Sequence, residues 1–389
     1  MNINMEFLGM EPIENVITCM KFKIDKTIFF GYAETIEKRK QQTEHFLKKY
    51  CSVKEVVFVP VSQKNLQSVI QKIREIVEKE RANDNQVFFD ITGGESLTLV
   101  AFGMLAQEWK MPMHMFDIKK DMMIEMNQYE GKSIVKNVEL RDFNMDIDKF
   151  IEMQGGMINY QLHKHMKNID LTTWEQKIEK MWRISRKYDL YWNSFSGIMR
   201  SVFRPDEELC VHLRECDIVD AVSNGKAGLF SVEKIYEMLD ELEELGIIRH
   251  LVCRGGKCSF SYESAEAKEM LWDSGSILEL YTYLHETKTS CDCKIGVHID
   301  WDGEIHEYPG RDVVNEVDIL SLEGNIPTFI SCKNGKMESN QALHALYELD
   351  LVATRFGGKY AKKKLVITKF MPDIYRTRAE EMGIEVISK

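Results

Sequence analysis

Between Asn4 and Asp117 five short apolar runs alternate with four longer amphipathic stretches, and few folds accommodate that order. The strand-like runs are 4–8, 26–32, 55–61, 86–92 and 113–117, and the stretches 13–22, 35–49, 66–81 and 96–109 between them read as helices. Strand–helix alternation with short, almost wholly apolar strands points to a largely parallel, doubly wound α/β sheet over residues 1–145. The pattern then predicts a closing hairpin, with arms at 122–129 and 132–140 split by Glu130-Gly131.

Open sheets of this kind bind ligands beyond the carboxyl ends of their strands. The loop Asp90-Ile91-Thr92-Gly93-Gly94-Glu95-Ser96 runs from a strand straight into a helix. Paired glycines let backbone approach a ligand, and free N–H groups at a helix start attract phosphate. Thr92 and Ser96 add hydroxyls, whereas Glu95 sets a carboxylate at the same place. Gly9-Met10-Glu11-Pro12 leaves the first strand with similar chemistry, and Gly31, Tyr32 and Thr35 follow the second. The plain alternative is a set of tight turns with no ligand. The helix at 96–109 carries Leu97, Leu99, Val100, Phe102, Met104, Leu105 and Trp109 around nearly its whole circumference. Such a helix is covered on two sides, here by the sheet and by a second copy in a two-fold homodimer, or else by another domain of the chain.

At 389 residues the chain has room for two or three domains. Residues 146–270 read as a helical linker whose later part, an acidic helix at 231–245 followed by two strands around Arg254-Gly255-Gly256, has a winged-helix outline. Six acids on that helix would repel a DNA groove, which favours a structural spacer. Residues 271–389 begin with a helix and continue with strand-like runs. Two of these runs, 315–320 and 327–333, each set a charge into an apolar strand, Asp318 in one and Lys333 in the other. Burying either alone costs several kcal/mol. The turn Glu323-Gly324-Asn325 makes the two runs a β-hairpin and places the charges on neighbouring strands. A carboxylate beside an ammonium, with further acids nearby, suits metal-assisted phosphodiester hydrolysis.

The net charge of −11 argues against a protein that coats nucleic acid, although bound divalent cations leave a nuclease open. No apolar run has the length of a membrane span, and the polar N-terminus is unlike a signal peptide. Nine scattered cysteines read as free thiols in a reducing cytoplasm.

With its Asp90–Gly94 loop, its alternating order and its Gly9–Pro12 and Gly31–Thr35 loops, the first domain resembles the CARF domain, the Rossmann-like cyclic oligoadenylate sensor of type III CRISPR systems. Residues 272–389 resemble the PD-(D/E)XK nuclease fold, with Glu279 at the helix glutamate, Asp318 at the motif aspartate and Lys333 at the motif lysine. Ser331 stands where that motif normally has an acid. Glu316, on the same strand face as Asp318, and the Cys332 carbonyl are the expected replacement ligands for Mn²⁺ or Mg²⁺. The resemblance implies an ancillary nuclease that cuts single-stranded RNA or DNA, or nicks duplex, and that cyclic oligoadenylate activates, by resemblance cyclic tetra-adenylate. Gln341 and the run Lys359, Lys362, Lys363 and Lys364 are expected phosphate contacts, or else exposed polar groups. Two other classes compete: a transcription regulator using the winged-helix segment, and a non-catalytic cyclic-nucleotide sensor.

Overall fold

A computed structural model gives the architecture and describes residues 1–127, 131–162, 169–224, 231–304 and 314–389. The N-terminal part runs β1 (Asn2–Phe7), α1 (Pro12–Lys21), β2 (Lys26–Gly31), α2 (Ala33–Cys51), β3 (Glu55–Pro60), α3 (Leu66–Ala82), β4 (Gln86–Asp90), α4 (Ser96–Trp109), β5 (Met113–Asp117), β6 (Met122–Glu125) and α5 (Ile134–Asn137). The sheet order is β3-β2-β1-β4-β5-β6, parallel as far as β5, with β6 antiparallel. Both faces are buried, which is why the strands lack polar alternation. Ile3, Ile28, Phe30 and Phe89 face α3 and α4, while Phe29 and Phe88 face α1 and α2. The doubly wound α/β reading therefore holds.

The closing hairpin falls elsewhere than expected. β5 and β6 form it, and 134–137 is a helical turn instead of a strand, because Ser133 caps it by accepting the Lys136 N–H. Gln128, Tyr129 and Glu130 of the expected hairpin lie outside the described residues.

Beneath the β1 loop, Glu6 is buried and accepts a hydrogen bond from the Asn4 amide at 2.9 Å. Burial pushes its carboxyl well up, and the Asp90 and Glu14 charges add to the rise. A carboxyl raised on folding loses stability as pH climbs from its ordinary range through the folded value. Glu6→Gln, which keeps the Asn4 bond, should therefore gain about 1–2 kcal/mol at pH 8 and almost nothing near pH 5. Urea melts at the two pH values read the difference, and an equal effect at both would rule out the buried proton.

The middle segment comprises α6 (Ile147–Gln154), β7 (Met157–Ile158), α7 (Leu171–Lys187), α8 (Trp192–Ser201), β8 (Cys210–Arg214), α9 (Glu215–Asn224), α10 (Val232–Glu244), β9 (Ile248–Arg254), β10 (Lys257–Tyr262) and α11 (Ala265–Trp272). β8, β10 and β9 make a small antiparallel sheet next to α10, in keeping with the winged-helix outline. Cys253 and Cys258 stand opposite one another in the β9–β10 register, Cα atoms 4.0 Å apart, and are joined as a disulfide. The expectation that all nine cysteines are free thus fails at this pair, because neighbouring strands hold the two side chains together.

The C-terminal part runs α12 (Ser276–Glu286), β11 (Asp292–Asp300), β12 (Val314–Glu323), β13 (Ile326–Lys333), α13 (Ser339–Gly357), β14 (Lys362–Ile367), α14 (Asp373–Glu381) and β15 (Ile384–Ser388). Its sheet order is β15-β14-β13-β12-β11-β7, so a strand from the middle segment extends it. One face (Leu320, Leu322, Phe329) packs on α13 and α6 and merges with the core around α1 and α2. The other (Ile319, Ile330, Cys332) packs on α12 and the middle segment. The N- and C-terminal parts therefore share a continuous core.

Candidate active site and sensor loops

The β12–β13 hairpin forms as the turn chemistry predicts, with Gly324 at φ +60° between the strands. Asp318 lies 3.8 Å from Lys333 Nζ, its side chain 17% exposed against 36% for the lysine. Its Oδ2 also accepts the Cys332 backbone N–H at 2.6 Å and the Ser331 hydroxyl at 3.2 Å. Burial pushes the Asp318 carboxyl up against the pull of the Lys333 ammonium and these donors, and the Glu316 carboxylate adds to the rise. A carboxylate desolvated beside a second acid favours a bound cation. Glu316, Asp318, Ser331, Lys333 and Glu348 of α13 line one cleft of about 170 Å³. Lys333 and Glu348 also line an adjoining groove of about 620 Å³ together with Lys336, Asn340, Gln341 and His344.

Strand alternation sorts the other candidates. Residues 316, 318, 331 and 333 share the sheet face that meets α13, whereas Cys332 lies on the opposite face with α12. Glu279 belongs to α12; its charge, after burial and Asp318, helps raise the Cys332 thiol. It is not among the residues that line the cleft, but it acts on Cys332, whose backbone N–H Asp318 accepts. Glu348 does line it, and no local pattern in the sequence marks that residue. Among the described residues no three His, Cys, Asp or Glu side chains converge as a ready-made metal cage. The oxygen donors present still fit a hard divalent ion that keeps several of its waters.

The lysine run is not a free basic patch. Lys359 pairs with Glu14, Lys362 with Glu323, Lys363 with Asp350 and Lys364 with Glu286. Gln341 is tied into a capping box with Glu338 at the start of α13, besides lining the groove.

In the N-terminal part, β1 and β4 sit at the point where strand order reverses, so the loops at 8–11 and 91–95 flank the crevice. α1, α2 and α4 all begin there without a side-chain cap. Their first N–H groups suit an anionic ligand. Gly94, at φ +139°, would put a Cβ 2.8 Å from Leu99, so glycine is required. Tyr32 packs edge-on against Phe7; burial raises its hydroxyl, and so does the Glu95 charge, which places the β2 and β4 loops side by side. Gly9 is clamped by Asn15, which bonds both its N–H and its C=O. Thr35 is half-buried in the first turn of α2, and Ser96 is exposed at the start of α4.

Two of the expected ligand groups are otherwise engaged. The Thr92 hydroxyl donates to Asp90 and accepts the Phe116 N–H at 2.9 Å, so it closes the loop. Glu11 points toward the C-terminal part, where Oε2 accepts the Lys359 N–H at 2.9 Å. Next to it Glu14 bonds Lys359 Nζ at 2.6 Å and the Tyr360 hydroxyl at 2.5 Å. A Cβ on Gly93 would lie 2.7 Å from Glu14 Oε2. A single buried carboxylate therefore touches both the crevice loop and the segment leading into β14.

Comparisons with known proteins follow this division. No curated protein matches the chain in sequence. Protein VC1899 from Vibrio cholerae superposes with a TM-score of 0.73 at 17% identity, over 100% of this chain and 94% of that one. Can2 from Sulfobacillus thermosulfidooxidans, solved in complex with cyclic tetra-adenylate, gives 0.66 at 15% identity, over 99% and 92%. A type III CRISPR defence DNA nuclease activated by cyclic oligoadenylate gives 0.50 at 11% identity, over 95% of this chain and 46% of that one. These likenesses establish the α/β fold across the whole length. Residues 266–389 match the family model for the Card1-like endonuclease domain.

Proposed function

We propose that the chain is a divalent-cation-dependent nuclease of type III CRISPR defence that cuts single-stranded RNA or DNA, or nicks duplex, when cyclic oligoadenylate occupies its N-terminal crevice. The observation that carries this reading is a coincidence of place: the segment matching an endonuclease family contains the Asp318–Lys333 cleft, which opens onto the lysine-lined groove. Asp318, Glu316 and Glu348 would hold Mn²⁺ or Mg²⁺ on the α13 side of the sheet, with the Cys332 carbonyl as a further oxygen. When bound, such an ion lowers the pKa of a water and neutralises phosphate charge. Ser331 and the Cys332 N–H fix the Asp318 carboxylate, and Lys333 presents its ammonium to the scissile phosphate. Glu348 takes over the role of the acid that Ser331 replaces.

The activator is cyclic tetra-adenylate, the ligand carried by Can2. It binds across two copies, at the uncapped starts of α1, α2 and α4. The dimer forms through α4, where Val100 and Met104 lie one turn apart and are 48% and 51% exposed in the single chain. The test incubates labelled single-stranded RNA, single-stranded DNA and supercoiled plasmid with Mn²⁺, with and without cyclic rings of different size. Cutting should require both the ion and one ring. Failure to cut any polymer would remove the nuclease reading, and cutting without a ring would remove the gating.

A further inference from the structure

Phe370, in the loop from β14 to α14, is 74% exposed, whereas its neighbour Met371 is buried in the core shared with α13. The loop is tied down on both sides of the ring. Thr368 donates its N–H to the Lys333 carbonyl at 3.3 Å. Its hydroxyl donates to the Asn334 side chain at 2.8 Å and accepts the Gly335 N–H at 3.0 Å. Beyond the ring, Arg376 Nε donates to the Met371 carbonyl at 3.2 Å. Phe370 is thus fixed two residues from Thr368, whose partner Asn334 lines the groove with Lys333 and Lys336.

Positive charge exceeds negative around this loop. From Lys369 to Arg376 the chain carries those two cations against one acid, Asp373. Lys369 and Arg186 share a single carboxylate, that of Asp189. Arg376 has no carboxylate partner among the described residues; its remaining contact is the Ser388 hydroxyl at 3.1 Å. Lys336 is exposed on the groove and likewise has no carboxylate partner among the described residues. The apolar surface here is small. Even with Ile374 and Leu190, 73% and 78% exposed, it falls far short of the roughly 800 Å² per partner that a stable protein interface buries. An exposed aromatic ring set among cations beside a phosphodiesterase groove matches a different partner, a nucleic-acid strand. Its phosphates follow the charge and one of its bases stacks on the ring. A base inside a duplex is already stacked on both faces, so the ring is open only to an unpaired one.

We propose that Phe370 is a stacking platform for one unpaired base of the strand being cut, with Lys336 and Arg376 on neighbouring phosphates. This role rests on the nuclease reading and deepens it, because it ties the choice of substrate to one side chain. A strand enters where a base is free to leave its neighbours, and a duplex enters only where it is locally melted.

The experiment follows cleavage of a short labelled strand with a single cleavable linkage, which fixes the register, by the full chain with Mn²⁺ and cyclic oligoadenylate. Wild type is compared with Phe370→Ala, Phe370→Trp and Ile374→Ala. Phe370→Ala should raise the strand concentration for half-maximal rate about tenfold and change the saturated rate less than about twofold. Phe370→Trp should match wild type or bind more tightly, and Ile374→Ala should match wild type. Because the ring is exposed, Phe370→Ala should melt as wild type does. An abasic residue is then moved along the strand one position at a time. In wild type one position should cost the same tenfold, and there Phe370→Ala should lose nothing further, since base and ring are two halves of one contact. If wild type cuts and Phe370→Ala cuts with the same concentration dependence, the platform is overturned and the nuclease reading stands. If wild type cuts no polymer, both fall. A Phe370→Ala loss of equal size on every abasic strand overturns stacking. So does a changed oligomeric state in sedimentation with strand affinity unaltered, which would make the ring a contact between copies.

Discussion

Asp318→Asn is expected to lower cation-dependent strand cleavage by about 10³-fold or more while leaving the fold intact. The two halves of that expectation rest on different contacts. Asparagine retains an oxygen for the Ser331 hydroxyl and the Cys332 N–H, so the hairpin keeps its hydrogen bonds. It also removes a carboxylate that burial and Glu316 disfavour, so the melting temperature should stay the same or rise slightly. What disappears is the charge that balances Lys333 and that would hold the proposed divalent ion. A full account needs the neighbouring acids as well. Glu348→Gln should cost about 10–100-fold, the scale seen when a supporting metal group is lost. Glu279→Gln, on the other sheet face, should cost far less. Manganese binding followed by electron paramagnetic resonance gives a readout independent of cleavage. If Asp318→Asn still cuts at the wild-type rate, the active site lies elsewhere on the chain. If Glu279→Gln is the more damaging of the two glutamate variants, the assignment to the α13 face is wrong.

That ordering of the glutamates marks the boundary of what the sequence discloses. The hairpin was legible because Glu323-Gly324-Asn325 punctuates two apolar runs, and a charge inside such a run stands out against the cost of burying it. Period-two alternation even tells that Glu316 and Asp318 share a face. It does not tell which helix covers that face. Glu348 is an ordinary half-exposed position on an amphipathic helix until α13 is laid on β12 and β13. Glu279 is reached by element order alone, and the fold places it on α12, which covers the Cys332 side. The surroundings of the lysine run are hidden for a related reason. Its partners Glu14, Asp350, Glu286 and Glu323 come from distant segments, and only the fold brings them within reach. In the N-terminal part the strand–helix rhythm and the glycines of the β4 loop were plain. The residues at 132–140 were not, because one serine cap turned a short apolar run into a helical turn.

Glu14→Gln is expected to uncouple the crevice from the nuclease site, reducing activation by cyclic oligoadenylate about tenfold while ligand affinity changes by less than about threefold. Glu14 lies under Gly93 on one side and grips Lys359 and Tyr360 on the other. Those residues lead into β14, which runs parallel to β13 with Ile367 beside Lys333. A ligand that shifts the Gly93–Gly94 loop therefore acts on a carboxylate bonded to the segment that leads into the strand beside Lys333. Such a link transmits only the difference in ligand affinity between its two arrangements, which for allosteric pairs is typically about 1–3 kcal/mol. Glutamine keeps an acceptor for Tyr360 but gives up the ion pair with Lys359, so the loop holds while the grip loosens. Tyr360→Phe removes the other contact and should have a smaller effect of the same sign. Cleavage assays across a ligand titration separate the outcomes: a lowered plateau with an unchanged midpoint is the signature of lost coupling. A wild-type plateau in both variants would mean that the signal reaches the nuclease by another route, and a midpoint shifted alone would make Glu14 part of the ligand site.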